Sequence, residues 1–266
     1  MRRQMKTVQL NVSRGGTQTS LQLSQGGHRG KRVRALLDTG SSRMIVRASA
    51  LPEPCAFDPQ YDCYIHFLAA RRPARVVRMR ATILLSDTPM TDDDAELQLA
   101  VVTRAELPNG VDAVLGMCDP AIPAHPSASF TRAIGVREFT FRFQLRGGSS
   151  VLELHSPRRD DAQPLLDART LLMLDPTASN LHFGLSTDQI SRVVFDTGSS
   201  VSIVPRHGLA LMLGPRRVSL DSALLWSEAG GGVGVVLGMD ALRTTGTIHL
   251  QRIAEWEWAM AVGEAS

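Results

Sequence analysis

One short word occurs twice in this chain and limits what the chain can fold into. Leu37-Asp38-Thr39-Gly40-Ser41-Ser42 is answered by Phe195-Asp196-Thr197-Gly198-Ser199-Ser200, and the two copies agree at five consecutive positions. Downstream of each lies a second shared word, Val114-Leu115-Gly116-Met117 in the first half and Val236-Leu237-Gly238-Met239 in the second. Two words repeating in the same order mark an internal duplication. The chain reads as two related halves, residues 1–135 carrying Asp38 and residues 136–266 carrying Asp196.

The patterning around these words is that of strands. Residues 7–23 alternate apolar and polar, with Gly15-Gly16 and Gly26-Gly27 as turn signals, and read as two antiparallel strands. Val33 to Leu37 forms a third strand that delivers Asp38 at its end. Gly40 turns the backbone without a Cβ penalty, and Met44-Ile45-Val46 resumes an extended, buried path. Residues 61–86 read as a hairpin, with Arg71-Arg72 and Pro73 at its tip. Leu97 to Val102 and Val111 to Met117 continue the series. Phe130 to Ile134 reads as a short helix near the passage between halves, and Phe139 to Phe143 alternates cleanly. A second hairpin over 147–154, further strands within 164–184, and Arg192 to Phe195 lead to Asp196. The expected class is all-β, in two related β lobes.

With both Asp-Thr-Gly-Ser-Ser words, both Leu-Gly strands and this order of elements, the chain resembles the pepsin-like aspartic proteases nearly end to end. The resemblance implies a bilobal fold with the active site in the cleft between lobes. It implies a catalytic pair, Asp38 and Asp196, holding one water for attack on a peptide carbonyl. One carboxylate is ionised to take the water's proton and the other is protonated, because two like charges at about 3 Å do not both ionise easily. The titration belongs to the pair, so the two aspartates are assigned jointly.

The resemblance also assigns the neighbours. Thr39 and Thr197 bond across the lobe interface, Gly40 and Gly198 present backbone N–H groups to the carboxylates, and Ser41 and Ser199 bond the outer carboxylate oxygens. Gly116 and Gly238 allow the Leu-Gly strand to pass close beside each turn. The hairpin over 61–86 corresponds to the flap that closes over substrate. There Phe67 stands where a tyrosine is usual, the glycine-rich tip is replaced by Leu-Ala-Ala-Arg-Arg-Pro, and Tyr64, three residues away, faces the opposite side of a regular strand. Cys55 and Cys63 flank a short loop where the family carries a small disulfide. The second half is trimmed, with 42 positions from Asp196 to Gly238 against 78 from Asp38 to Gly116. The implied activity is that of an endopeptidase acting on an extended polypeptide, as a monomer and without a cofactor or metal. The alternative is a catalytically weak or inactive pepsin-like module that binds peptide or protein. A retroviral-type dimer uses one Asp-Thr-Gly per chain, so two copies argue against it.

Composition narrows the field. The 43% of apolar residues among 266 supplies a sizeable core. The net charge of +3 rests almost wholly on arginine, Lys6 and Lys31 being the only lysines. Interleaved aromatics and a single basic face are missing, which argues against nucleic-acid binding. The three cysteines are too few for a disulfide scaffold and lack Cys-x-x-Cys spacing. The seven histidines form no ligand motif, and Asp92-Asp93-Asp94 reads as a solvated turn. Gly230-Gly231-Gly232-Val233-Gly234 fails dinucleotide-loop spacing and reads as a turn. No apolar run reaches the length of about 18 residues that a membrane span needs. No signal-peptide core follows Met1, and the location stays open: secreted or vacuolar/lysosomal if an N-terminal segment is missing, otherwise cytoplasmic.

Overall fold

The structure, a computed structural model, describes residues 5–13, 16–53, 61–67, 70–91, 95–102, 107, 110–118, 129–144, 149–155, 172–173, 192–204, 210–213, 216–219, 224–225, 234–254 and 257–263. The described residues are mostly strand, so the chain is all-β. It divides into two compact units: Gln18–Val136, and a second made of Met1–Thr17 with Arg137–Ser266.

The chain opens with β1 (Met5–Ser13), which belongs to the second unit, and β2 (Gly16–Gln25), which enters the first at Gln18. Within Gln18–Val136 follow β3 (His28–Arg29), β4 (Val33–Asp38), β5 (Met44–Arg47), β6 (Tyr61–Phe67), β7 (Ala70–Leu85), β8 (Thr88–Pro89), β9 (Ala95–Val102), β10 (Ala113–Gly116) and helix α1 (Phe130–Ala133). Strand β2 runs antiparallel to both β4 and β7. Strand β10 is parallel to β4 and antiparallel to β5, β5 is parallel to β9, and β9 is antiparallel to β7. The path returns to β2 and closes a six-stranded barrel. Closure leaves those six strands without a bare edge over their paired lengths. Register turns the buried Leu21, Leu23, Ala35, Leu37, Val46, Leu99, Ala113, Val77 and Ile83 to one face, which the barrel encloses. Leu36, Ile45, Ala100, Val102, Val111 and Val114 form a second buried cluster on the other face with Ile65 and Ala74 from the β6–β7 arm.

Two tight turns follow from local chemistry. Gly26 and Gly27 both take positive φ between β2 and β3. Ser86 and Asp87 do the same, at φ 45° and 66°, between β7 and β8. Two successive positive-φ residues make the two-residue hairpin turn whose twist suits antiparallel strands.

The hairpin over 61–86 differs from the sequence reading at its tip. Phe67 pairs with Ala70, His66 with Arg71, Ile65 with Arg72 and Tyr64 with Pro73, so the arginine pair and Pro73 lie within β7. Pairing with β9 starts only at Arg75. Pro73 therefore sits where β7 has only β6 beside it among the described residues, and a proline is tolerated on such an edge.

The second unit adds β11 (Glu138–Arg142), β12 (Ser150–His155), β13 (Leu172–Met173), β14 (Arg192–Phe195), β15 (Ile203–Val204), β16 (Ala210–Leu213), β17 (Arg216–Ser219), β18 (Leu224–Leu225), β19 (Gly234–Leu237), helix α2 (Met239–Leu242), β20 (Thr247–Ala254) and β21 (Glu257–Gly263). Strands β1, β12, β11, β20, β21 and β13 lie side by side in that order, each antiparallel to the next. Residues 1–17 join this unit because β1 is zipped to β12 from Met5↔His155 to Leu10↔Ser150. Along β11 the buried Phe139 and Phe141 meet edge to face at 5.7 Å, and Phe141 stacks on Phe143. A smaller sheet holds β14, β19, β15 and β18, and β16 pairs with β17.

Several sequence readings fall outside the described residues: the acidic run 92–94, the glycine run 230–233, most of 164–184, and Cys55 with its suggested bond to Cys63.

Candidate active site

In the first unit, Asp38 is the last residue of β4 and is half-buried. Strand β10 lies parallel to β4 with Gly116 opposite Asp38, and antiparallel to β5 on its other side. The Leu-Gly strand thus runs between the strand that enters the turn and the strand that leaves it. The turn closes on the aspartate: Gly40 N–H donates to Asp38 Oδ1 at 2.8 Å, and the Met117 amide donates to the Asp38 carbonyl at 2.9 Å. Gly116 N–H donates to the Arg43 carbonyl at 2.9 Å. A Cβ on Gly116 would stand 2.3 Å from the Arg43 nitrogen and 2.7 Å from the Ser41 carbonyl oxygen, so this crossing requires glycine. Thr39 is buried and Gly40 is exposed.

The second unit builds the same device from the other copy. Strand β14 ends at Phe195 and is parallel to β19, with Phe195 opposite Leu237, and β19 is antiparallel to β15. Gly198 N–H donates to Asp196 Oδ1 at 2.8 Å and Ser199 N–H to the same oxygen at 3.0 Å. Bonds from N–H groups to a carboxylate are shorter and stronger than those to neutral acceptors, so both carboxylates are held in one orientation. Asp196 N–H donates to the Leu237 carbonyl and Met239 N–H to the Ser199 carbonyl. Thr197 and Gly198 are buried, and the Thr197 carbonyl accepts from the Thr17 amide at 3.1 Å. A Cβ on Gly238 would stand 2.4 Å from the Val201 carbonyl.

The two turns differ in their supports. The Ser199 hydroxyl donates to the Val201 carbonyl at 2.7 Å, while its amide reaches the carboxylate. Behind the second turn lies a contact that motif reading missed. The fully buried Ser202 hydroxyl accepts from the Gly238 amide at 3.0 Å and donates to Asp240 Oδ1 at 2.7 Å. Asp240 also accepts from the Ser202 and Ala241 amides. The available signal was an acidic residue immediately after Leu-Gly-Met, where the first copy has Cys118. Cys118 is half-buried, and its amide donates to the Ser41 carbonyl at 3.4 Å.

The hairpin residues lie on β6. Tyr64 is half exposed and Ile65 is buried in the cluster with Leu36 and Val114, while Phe67 and Cys63 are described by their strand pairing alone. The Arg43 guanidinium reaches the Tyr64 carbonyl at 3.5 Å. Arg43 therefore touches both β6 and, through its backbone, Gly116 beside the Asp38 turn.

Sheet register also gathers Glu138, His155 and His249, which sequence spacing left scattered. No protein-family model matches the chain, and no curated protein matches it.

Proposed function

We propose that this chain is an aspartic endopeptidase of pepsin-like, bilobal architecture that hydrolyses peptide bonds with a water activated jointly by Asp38 and Asp196. The observation that carries the reading is the repetition of one local device. Each Asp-Thr-Gly turn directs a glycine N–H to its aspartate Oδ1 at 2.8 Å, and each is flanked by a Leu-Gly strand held between the entering and leaving strands.

In this mechanism the ionised member of the pair takes a proton from water as the water's oxygen attacks the scissile carbonyl carbon. The protonated member donates to the carbonyl oxygen, giving a neutral tetrahedral diol. Collapse returns a proton to the leaving nitrogen and breaks the C–N bond. No covalent enzyme intermediate forms, and the pair shares one proton throughout. The Gly40 and Gly198 amides act by orienting the carboxylates.

The test is cleavage of unfolded protein or a peptide library between about pH 3 and 6, inhibited by a statine-type transition-state analogue. Absence of cleavage, or cleavage that persists in Asp38→Asn, overturns the reading. The second reading is a binding module with little catalysis, and Phe67 in place of the flap tyrosine is the feature that favours it. Tight analogue binding that is lost in Asp196→Asn argues against that module.

A further inference from the structure

In the six-stranded sheet of the second unit, β11 turns Phe139 and Phe141 to one side, and Glu138 and Thr140 alternate to the other. Register sets His155 of β12 and Gln251 of β20 on either side of Glu138, and His249 of β20 beside Thr140. One donor atom from each of Glu138, His155 and His249 lies within 4.8 Å of the other two.

We propose that Glu138, His155 and His249 form a binding site for a divalent late first-row transition metal ion, of which zinc is the best fit. Two imidazoles and one carboxylate are a donor set such ions favour, with a further position left for an oxygen ligand. The geometry agrees. His249 Nε2 and Glu138 Oε1 are 3.5 Å apart. That is long for an N–H···O hydrogen bond. It matches the edge of about 3.4 Å between two ligands of a tetrahedral centre with bonds near 2.0–2.1 Å.

The surroundings are those of a metal-bound histidine. Thr140 Oγ1 lies 2.7 Å from His249 Nδ1, which fixes the ring with Nε2 toward Glu138, and 3.2 Å from His155 Nε2. Such a polar partner on the second ring nitrogen orients a ligating imidazole. The rings of His155 and His249 stand 5.9 Å apart and tilted by 54°. The side chains of Glu138 and His249 are only 11% and 16% exposed, so a cation between them offsets the solvation the carboxylate loses on burial. The Gln251 Oε1 is buried without a hydrogen-bond donor among the described residues and belongs to the residue opposite Glu138 in the register. It supplies an acceptor for a metal-bound water. The ion ties β12, β11 and β20 together and so contributes to folding.

The test uses the full chain, stripped with chelator and titrated with Co²⁺ as a spectroscopic probe and with Zn²⁺ by calorimetry. One site per chain is expected, with the strong visible absorption of four- or five-coordinate Co²⁺, displacement by Zn²⁺, and a Tm that rises with Zn²⁺ concentration. His155→Ala and Glu138→Gln remove a ligand and abolish the absorption. Thr140→Val, acting through His249, weakens binding by about tenfold or more. His28→Gln and the Asp38→Asn/Asp196→Asn double variant leave it unchanged, which separates this site from an exposed histidine and from the aspartate pair. Glu138→Gln preserves shape and is read beside far-UV circular dichroism, so loss of binding is distinguished from loss of fold. Binding weaker than about 0.1 mM, several equivalent weak sites, or tight binding that survives His155→Ala overturns the proposal and leaves a hydrogen-bonded cluster around Thr140.

Discussion

Gly238 meets Val201 backbone to backbone, so closely that a Cβ on the glycine would lie 2.4 Å from the Val201 carbonyl oxygen. Gly116 makes the equivalent approach to Arg43, with 2.3 Å to its amide nitrogen. The obstructing atoms are main chain in both cases, so a side-chain rotation gives no relief. Gly116→Ala and Gly238→Ala are each expected to destabilise their own unit by about 1–3 kcal/mol or more, read as a lower urea midpoint. A midpoint like that of the wild type in either variant would show that the crossing is looser than this.

The aspartate pair makes a sharper prediction about activity than about stability. Asp38→Asn and Asp196→Asn preserve shape and each retains an oxygen that accepts from the glycine amide, so both fold. Each is expected to lower kcat by at least about a hundredfold, the lower end of what a positioned acid or base contributes. If the residues act as a unit, as proposed, the double variant should be little worse than either single one. Losses that multiply instead would mean that the aspartates work separately.

Behind the second turn, Ser202 and Asp240 form a support confined to that copy. Ser202→Ala removes a buried hydroxyl that both accepts from Gly238 and donates to Asp240. It is expected to cost about 1–3 kcal/mol, because the Gly238 N–H is then left buried without its acceptor. Asp240→Ala strips the Ser202 amide and the Ser202 hydroxyl of their acceptor, while the Ala241 amide keeps the Gly238 carbonyl at 3.1 Å, and it should cost at least as much. A double-mutant cycle should show coupling above about 0.5 kcal/mol, and additivity would dissolve the proposed network.

How much of this was legible in the sequence depended on range. The strands that deliver Asp38 and Asp196, and the glycines that face their turns, announce themselves through short apolar runs and a repeated word. Pro73 and the arginine pair carried a local turn signal, yet they lie in β7, because a proline beside one neighbouring strand is permitted and strand pairing outweighs the local preference. The grouping of residues 1–17 with the C-terminal part follows from pairing of β1 with β12 across more than a hundred residues, which no window reveals. Glu138, His155 and His249 are neighbours through register alone, since three antiparallel strands bring together residues with no motif spacing. Asp240 was readable as a departure between copies but not as a clamp, because its partner Ser202 is 38 positions away.

The adjacent residues Tyr64 and Ile65 separate folding from substrate handling in the β6–β7 hairpin. Ile65 is 3% exposed and belongs to the buried cluster with Leu36 and Val114, whereas Tyr64 is 50% exposed. Ile65→Ala removes buried methyl and methylene groups and is expected to cost about 2–5 kcal/mol. Tyr64→Ala should change stability by no more than about 0.5 kcal/mol, as surface substitutions usually do. If the hairpin closes over substrate, Tyr64→Ala raises KM for an extended peptide while the urea midpoint stays in place. Ile65→Ala shows the reverse pattern at a temperature where it is still folded, with a lowered midpoint and a smaller kinetic change. A Tyr64→Ala enzyme with unchanged KM and kcat would remove this hairpin from substrate binding, and would leave Arg43, which bridges β6 and the Asp38 turn, with a structural role alone.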